Sequence, residues 1–239
     1  MIMDTVTEEQ IEVTSVPSEV KLIKTWGGDS DVADAAVVHD PDDEYMDFDH
    51  VSRLVDGLGA EGHWGCFEHS GATLLVRVPI FTARQVIRHR TGAFNEYSLR
   101  YKRMLPRFYV PKNMLTDVKR VNLGDEPQLH ERSDEWKEKI VASYATVWRL
   151  YQDMLADGVR KEQARTVLPF GSFTEFWMTM SLRNWMHFLN LRVDSHAQLE
   201  ARDLGDKVLA MLTAYFPVSM SVWDRYGRGG VNGRTIQTP

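Results

Sequence analysis

The sequence predicts an α+β fold, on three observations. Strand-like and helix-like segments neither alternate regularly nor separate into halves. With 43% hydrophobic residues and seven Trp among 239 residues, the chain can bury a sizeable core. No linker-like stretch divides it, so one compact domain over 1–239 is expected, with a flexible tail from about 228.

The elements follow in order. The segment EVKLIKTW (19–26) reads as a first strand, ending at Gly27-Gly28. A short helix is predicted over Asp31–Val38, then an acidic loop. Asp49 is placed to cap a helix over His50–Leu58, where Val51, Leu54, Val55 and Leu58 share a face. Gly59 and Gly62 open the loop that carries His63-Trp64-Gly65-Cys66-Phe67-Glu68-His69. TLLVRV (73–78) reads as a buried strand, and Pro79 suits the first turn of a helix over Ile80–His89. Arg107–Val110 is a further strand, and 112–132 a polar excursion. Ser133, followed by Asp134 and Glu135, starts a long helix to about Ala156, closed by Gly158. A helix over Lys161–Leu168 stops before Pro169. Ser172–Met180 alternates as a strand does, with a helix as the alternative. Helices over Leu182–Leu191 and Ala197–Phe216 complete the order, and four glycines follow Tyr226.

Bulk properties narrow the function. The first residues, MIMDTVTEEQ, lack the charged and apolar regions of a secretory signal. No apolar run approaches the ~18 residues a spanning helix needs. The single cysteine, Cys66, cannot form an internal disulfide, which fits a reducing compartment. A soluble, cytoplasmic protein with no membrane partner is expected. Net charge is −6, but Arg84–Arg107 holds seven Lys/Arg against one acid, Glu96, leaving −12 on the rest. A basic island in an acidic chain suggests a local anion site. Solvated surface arginines are the bland alternative. His89, Asn95, Ser98 and Tyr101, interleaved with the island, argue against it.

If a helix runs to Arg90, Arg84 and Arg88 lie one turn apart, with Gln85 and His89 on a neighbouring face. Guanidiniums offer planar, bidentate, permanently charged donors, which suits a phosphate. Glu96 among these cations stays ionised and can accept from a ribose hydroxyl or an arginine. Residue chemistry thus reaches a phosphorylated small molecule.

Arg88-His89-Arg90, seven residues, then Ser98 resembles the RHR-x7-S signature of the flavin-dependent thymidylate synthases. Asn95-Glu96-x-Ser98-x-Arg100-Tyr101 is similar to its continuation, so eight of fourteen positions match. Three more blocks resemble the family. They are Gly62-His63…Phe67-Glu68-His69, Ala164-Arg165-x-Val167-Leu168-Pro169, and Asn190-Leu191-Arg192-x-Asp194-Ser195-His196-Ala197-Gln198. The matches cover about a third of the chain.

The resemblance implies an antiparallel or mixed sheet packed by several helices. It implies reductive methylation of dUMP to dTMP, with methylenetetrahydrofolate as carbon donor and NADPH-reduced FAD as electron donor. Gln85, Arg88, Glu96, Ser98, Arg100, Arg165 and Arg192 would hold dUMP. Glu68, Arg88, His89, Arg90, Asn95, Glu96, Arg183 and His187 would touch FAD. Arg192 would be catalytic, stabilising the anionic pyrimidine as a fixed cation facing developing charge. His63, Tyr101 and His196 are candidates for folate or ring contacts. The family works as a homotetramer with active sites between subunits, and the same is expected here.

The chain departs from the family at Gly65 and Cys66, where Ser or Thr and then Pro are usual. It departs again at Ala35-Ala36-Val37-Val38-His39, which lacks an arginine and a serine, and at Ser181, where Asn is common. Gly65 can offer a backbone N–H but no hydroxyl. No activating motif surrounds Cys66, so it reads as a structural thiol and not as the nucleophile. His63 and His69 lack a metal-site spacing, so no metal is expected. The aromatic stretch Phe173–Trp185 reads as packing. Without the family, His196 reads as a satisfied structural residue, four positions after Arg192 and on its face if the helix continues. Two other readings stand beside the synthase: a nucleic-acid-binding module, disfavoured by pI 5.8, and a nucleotide-binding flavoprotein that has lost the reaction.

Overall fold

The computed structural model describes residues 11–37, 47–116 and 128–228. The predicted acidic loop, His39, most of the polar excursion and the glycine tail fall wholly or largely outside these. The chain forms two compact units, passing between them at 17/18, 77/78, 81/82, 96/97 and 174/175.

The unit built on 18–77, 82–96 and 175–239 carries a four-stranded sheet. Its strands are β2 (Glu19–Trp26), β3 (Gly71–Pro79), β4 (Ala93–Glu96) and β6 (Phe173–Ser181), in the order β2-β3-β6-β4. β1 (Glu12–Thr14) and β5 (Arg107–Tyr109) belong to the other unit. β2 pairs antiparallel with β3, and β4 antiparallel with β6. Between β3 and β6, Ser70 meets Leu182, Thr73 meets Thr179 and Arg77 meets Glu175, so these strands also run antiparallel. β3 is apolar along most of its length because it lies between two strands, with Ala72, Leu74, Val76 and Val78 fully buried.

Helices α1 (Asp29–Asp34), α2 (Phe48–Ala60), α6 (Leu182–Arg192), α7 (Leu199–Tyr215) and α8 (Pro217–Val222) complete this unit. α1 ends four residues before the expected Val38. α2 is capped by Asp47, not Asp49. Asp47 has extended backbone and its carboxylate accepts from His50 N at 2.8 Å, so the helix starts at Phe48. Gly59 lies inside α2, where a Cβ would come within 2.1 Å of Val222. α8 was not legible locally, since its cap is remote: Asp29 accepts from Val218 N and Ser219 N, both at 2.9 Å. Trp185, Phe67, Phe188, Phe216, Trp223, Leu74 and Leu189 form the core, each 2% exposed or less.

The other unit comprises 1–17, 78–81 and 97–174. β1, missed in the sequence, pairs parallel with β5. α4 (Ser133–Ala156) has the predicted bounds, and Gly158, at φ +86, turns the chain after it. The expected helix over Lys161–Leu168 is a turn of α-helix, α5 (Lys161–Ala164), continued as a 3₁₀ turn over Arg165–Val167. Met104, Phe108, Trp148, Tyr151 and Ala164 pack together, with Tyr151 Oη accepting from Met104 N at 3.0 Å.

Among the described residues, no helix is long and apolar enough to cross a membrane.

Candidate active site

The signature segment follows α3 (Ile80–Val86), which ends three residues before the expected His89. Beyond Val86 the chain tightens into turns: Arg88 N donates to Gln85 O at 3.4 Å and His89 N to Val86 O at 3.1 Å. Arg84 and Arg88 are therefore not stacked along a regular helix. The tightening buries His89, which is 6% exposed, and leaves Arg84, Arg88 and Arg90 on the surface. None of these three arginines makes an ion pair with a described residue. Such unpaired guanidiniums are suited to an anion. β4 follows, at a place where the sequence predicts no element, and exposes Asn95 and Glu96.

His89 meets Arg192. The Arg192 Nε–H donates to His89 Nε2 at 3.0 Å, and its Nη2 donates to the Gln85 carbonyl at 3.1 Å. The His89 ring also packs edge-on against buried Phe188, with centroids 4.8 Å apart, and lies 6.3 Å from the His187 ring. Burial first, then the positive charge of Arg192 and the nearness of His187, hold the His89 imidazole down at about 4. It is neutral near pH 7, and accepting at Nε2 places its proton on Nδ1. Burial lowers the Arg192 guanidinium from its usual range, yet arginine stays cationic in proteins.

Arg192 is the last residue of α6, so its backbone sits where α7 crosses. A Cβ on Gly205 of α7 would lie 2.9 Å from the Arg192 carbonyl carbon and oxygen. Because α6 stops there, His196 does not share a helical face with Arg192. It lies in the following turn, exposed, with Nδ1 2.8 Å from Asp194. Gln85 Nε2 donates to Gln198, which in turn donates to Glu200 at 2.8 Å. The sequence had left Gln198, Glu200 and Gly205 out of the site, although Gln198 closes one of the motif blocks.

Around the other end of α6, Ser181 caps the helix by accepting from Asn184 N at 3.4 Å and donates its hydroxyl to Glu68. Glu68 also pairs with Arg183 at 3.5 Å. A cavity of about 200 Å³ lies beside them, lined by Trp64, Arg183, Met186, His187, Asn190, Trp223, Tyr226 and Gly227. Its walls are aromatic and the Arg183 guanidinium stands at its edge, which suits a planar ring. Trp223 and Tyr226 lie between the predicted helix ending at Phe216 and the glycine tail, and no spacing pointed to them. Gly65 faces open space, since a Cβ there would meet nothing within 4 Å. His63 is exposed in the same loop, and Cys66 is half-buried in the 3₁₀ turn Trp64–Glu68.

Ser98, Arg100, Tyr101 and Arg165 lie in the other unit. Ser98 starts a turn in which its Oγ accepts from Arg100 N at 3.4 Å and its carbonyl accepts from Tyr101 N and Lys102 N. Arg100 pairs with Glu162 at 3.3 Å and lies over the exposed Tyr101 ring. Arg165 Nε donates to the Glu162 carbonyl at 3.3 Å. A chain section near Glu162 thus gathers two of the candidate phosphate-binding arginines.

Fold and side chains together define the class: an α+β protein with guanidinium sets suited to phosphorylated ligands and an aromatic cavity suited to a planar ring. Comparison with known proteins narrows it. The family described as thymidylate synthase complementing protein matches residues 21–218. A flavin-dependent thymidylate synthase of Thermosipho africanus is 42% identical over 152 residues, covering 62% of this chain and 65% of that protein. One from Streptomyces coelicolor is 34% identical over 228 residues, covering 87% and 92%. A crystal structure of a UMP/dUMP methylase from Streptomyces cacaoi, bound with 5-Br dUMP, is similar with TM-score 0.82 at 30% identity, covering 91% of this chain and 99% of that one. The chain belongs to the flavin-dependent thymidylate synthase family.

Proposed function

We propose that the protein converts dUMP to dTMP by reductive methylation, with Arg192 as the group that polarises the uracil. The observation that carries this reading is the meeting of two motif blocks: Arg192 is held 3.0 Å from His89 of the signature, half-buried and cationic. A fixed positive charge in a partly desolvated site favours the anionic form of a pyrimidine more than its neutral form, which is what activating C5 as a nucleophile requires. The exposed Arg88, together with Ser98, Arg100 and Arg165, gathers the phosphate, and Gln85 and Glu96 orient the nucleoside. Glu68, Arg90, Asn95, Arg183 and His187 hold FAD, with Arg88 and Glu96 shared between the ligands, while His89, buried against Phe188, serves Arg192. Bound FAD, recharged by NADPH, supplies the electrons, and methylenetetrahydrofolate supplies the carbon. His63, Tyr101 and His196, all exposed, are the contacts assigned to the folate. Cys66 takes no covalent part.

The test is dTMP formation by purified protein given dUMP, methylenetetrahydrofolate, NADPH and FAD, with FAD omitted as control. FAD-dependent product is expected. A folded protein that binds flavin and dUMP without forming product would sink the reading. A parallel arm with UMP is warranted because the similar Streptomyces cacaoi protein is a UMP/dUMP methylase.

A further inference from the structure

We infer that His89 is a positioning residue for Arg192, acting as a hydrogen-bond acceptor that aims the guanidinium; this rests on the proposed role of Arg192. Arginine is a flexible side chain, and a polarising cation works only if its direction is fixed before the substrate arrives. Here two acceptors fix it. The Gln85 carbonyl takes one Nη2 proton at 3.1 Å, and His89 Nε2 takes the Nε proton at 3.0 Å. Holding Nε and one Nη in this way sets the plane of the guanidinium and leaves its remaining N–H groups for substrate. Among the described residues no carboxylate pairs with Arg192, so its charge is not spent on an ion pair with them.

The surroundings keep His89 in that task. Its ring is buried against Phe188, which limits rotation. A carboxylate in the same place would accept the same bond but would neutralise Arg192, and a lysine or arginine would repel it. A neutral imidazole accepts the bond and leaves the charge whole. Gln85 is itself tied through its side chain to Gln198, so the other acceptor is anchored independently of His89.

The experiment uses the full-length protein loaded with FAD and reads three quantities: dTMP turnover, KM for dUMP, and the rate of flavin reduction by NADPH without dUMP. His89→Phe keeps a ring and loses the acceptor. His89→Gln can place an amide oxygen near the Nε2 position. His89→Asn keeps a polar group that stops short of it, and replaces the Phe variant if that one does not fold. His89→Phe or His89→Asn is expected to lower kcat about 100-fold, as misaimed catalytic groups do. KM for dUMP should change less than kcat, and flavin reduction should stay within about twofold of wild type on the same misalignment argument. His89→Gln is expected to recover at least about tenfold of the loss. Measured against the residual turnover of Arg192→Ala, His89→Phe should cost nothing further.

Equal losses in the Gln and Phe variants would overturn the proposal. So would a loss that follows flavin content or flavin reduction, or losses that multiply in the double variant. Near-normal turnover in Arg192→Ala alone would instead remove the role assigned to Arg192. An inactive Arg192→Ala beside a fully active His89→Phe would remove only the positioning role.

Discussion

At the scale of single residues, His89 makes a stability prediction separate from catalysis. Burial and Arg192 hold its imidazole at about 4, against an ordinary 6.5. Between those pH values the unfolded chain binds a proton that the native state refuses. Stability is therefore intact above 6.5 and is lost as the pH falls toward 4. By pH 5 the loss from this one group is about 2 kcal/mol, since each unit is worth 1.36 kcal/mol. Other groups titrate too, so the comparison is with His89→Gln, which has no proton to gain. Urea unfolding at pH 7.5 and pH 5 should show the wild type losing about 2 kcal/mol more than that variant. Equal losses would mean that the ring is solvated in the native protein and free to charge.

At the scale of elements, the crossing of α6 and α7 decides where Arg192 sits. A Cβ on Gly205 would come within 3.0 Å of backbone and Cβ atoms of Arg192, so the helix end must shift to admit it. Gly205→Ala should destabilise the protein by about 1–3 kcal/mol, the usual cost of overpacking. It should also lower turnover at least about tenfold if Arg192 has the proposed role, because a displaced α6 end carries its guanidinium with it. Gly57→Ala on α2 is the control: nothing lies within 4 Å of that position, and alanine there should raise stability by up to about 1 kcal/mol. Thermal unfolding and turnover of both variants check this. Wild-type turnover in Gly205→Ala would show that the α6 end is not held by the crossing. Such contacts mark what the sequence could and could not disclose. The long α4, the strand β6 and the bounds of α6 were legible because each carries a repeating apolar pattern or a local cap. β1 and α8 were not: one is three residues held by β5, the other is capped by Asp29, 189 residues from Val218. The site divides the same way. Two motif blocks named His89 and Arg192, but only the fold shows that the two touch, that Gly205 lies against one of them, and that Trp223 and Tyr226 wall the cavity beside His187.

At the scale of the whole molecule, the candidate residues raise the question of what encloses them. Arg88, Arg90, Asn95 and His63 are exposed on the single chain, as are Ser98's neighbours Arg100 and Tyr101. Chemistry on an activated pyrimidine gains from exclusion of water, because charges act more strongly in a drier site. Large apolar side chains are exposed as well, including Phe48, Phe170, Trp177 and Leu105. Single exposed apolar residues are ordinary, but these lie on a protein whose candidate ligand-binding arginines also lack cover. Assembly of identical chains would supply that cover, and a closed homo-oligomer is the usual form. Light scattering after size exclusion should therefore give about four times the chain mass, the homotetramer that the family resemblance implies. Shared sites make a sharper demand. Arg192→Ala and Ser98→Ala, each severely impaired alone, should regain part of the wild-type turnover when unfolded together and refolded as mixed oligomers, since some sites would then draw both intact residues from different subunits. A chain that is monomeric and fully active at nanomolar concentration would remove the assembly. A tetramer whose mixed forms stay inactive would keep the assembly but place each complete site within one subunit.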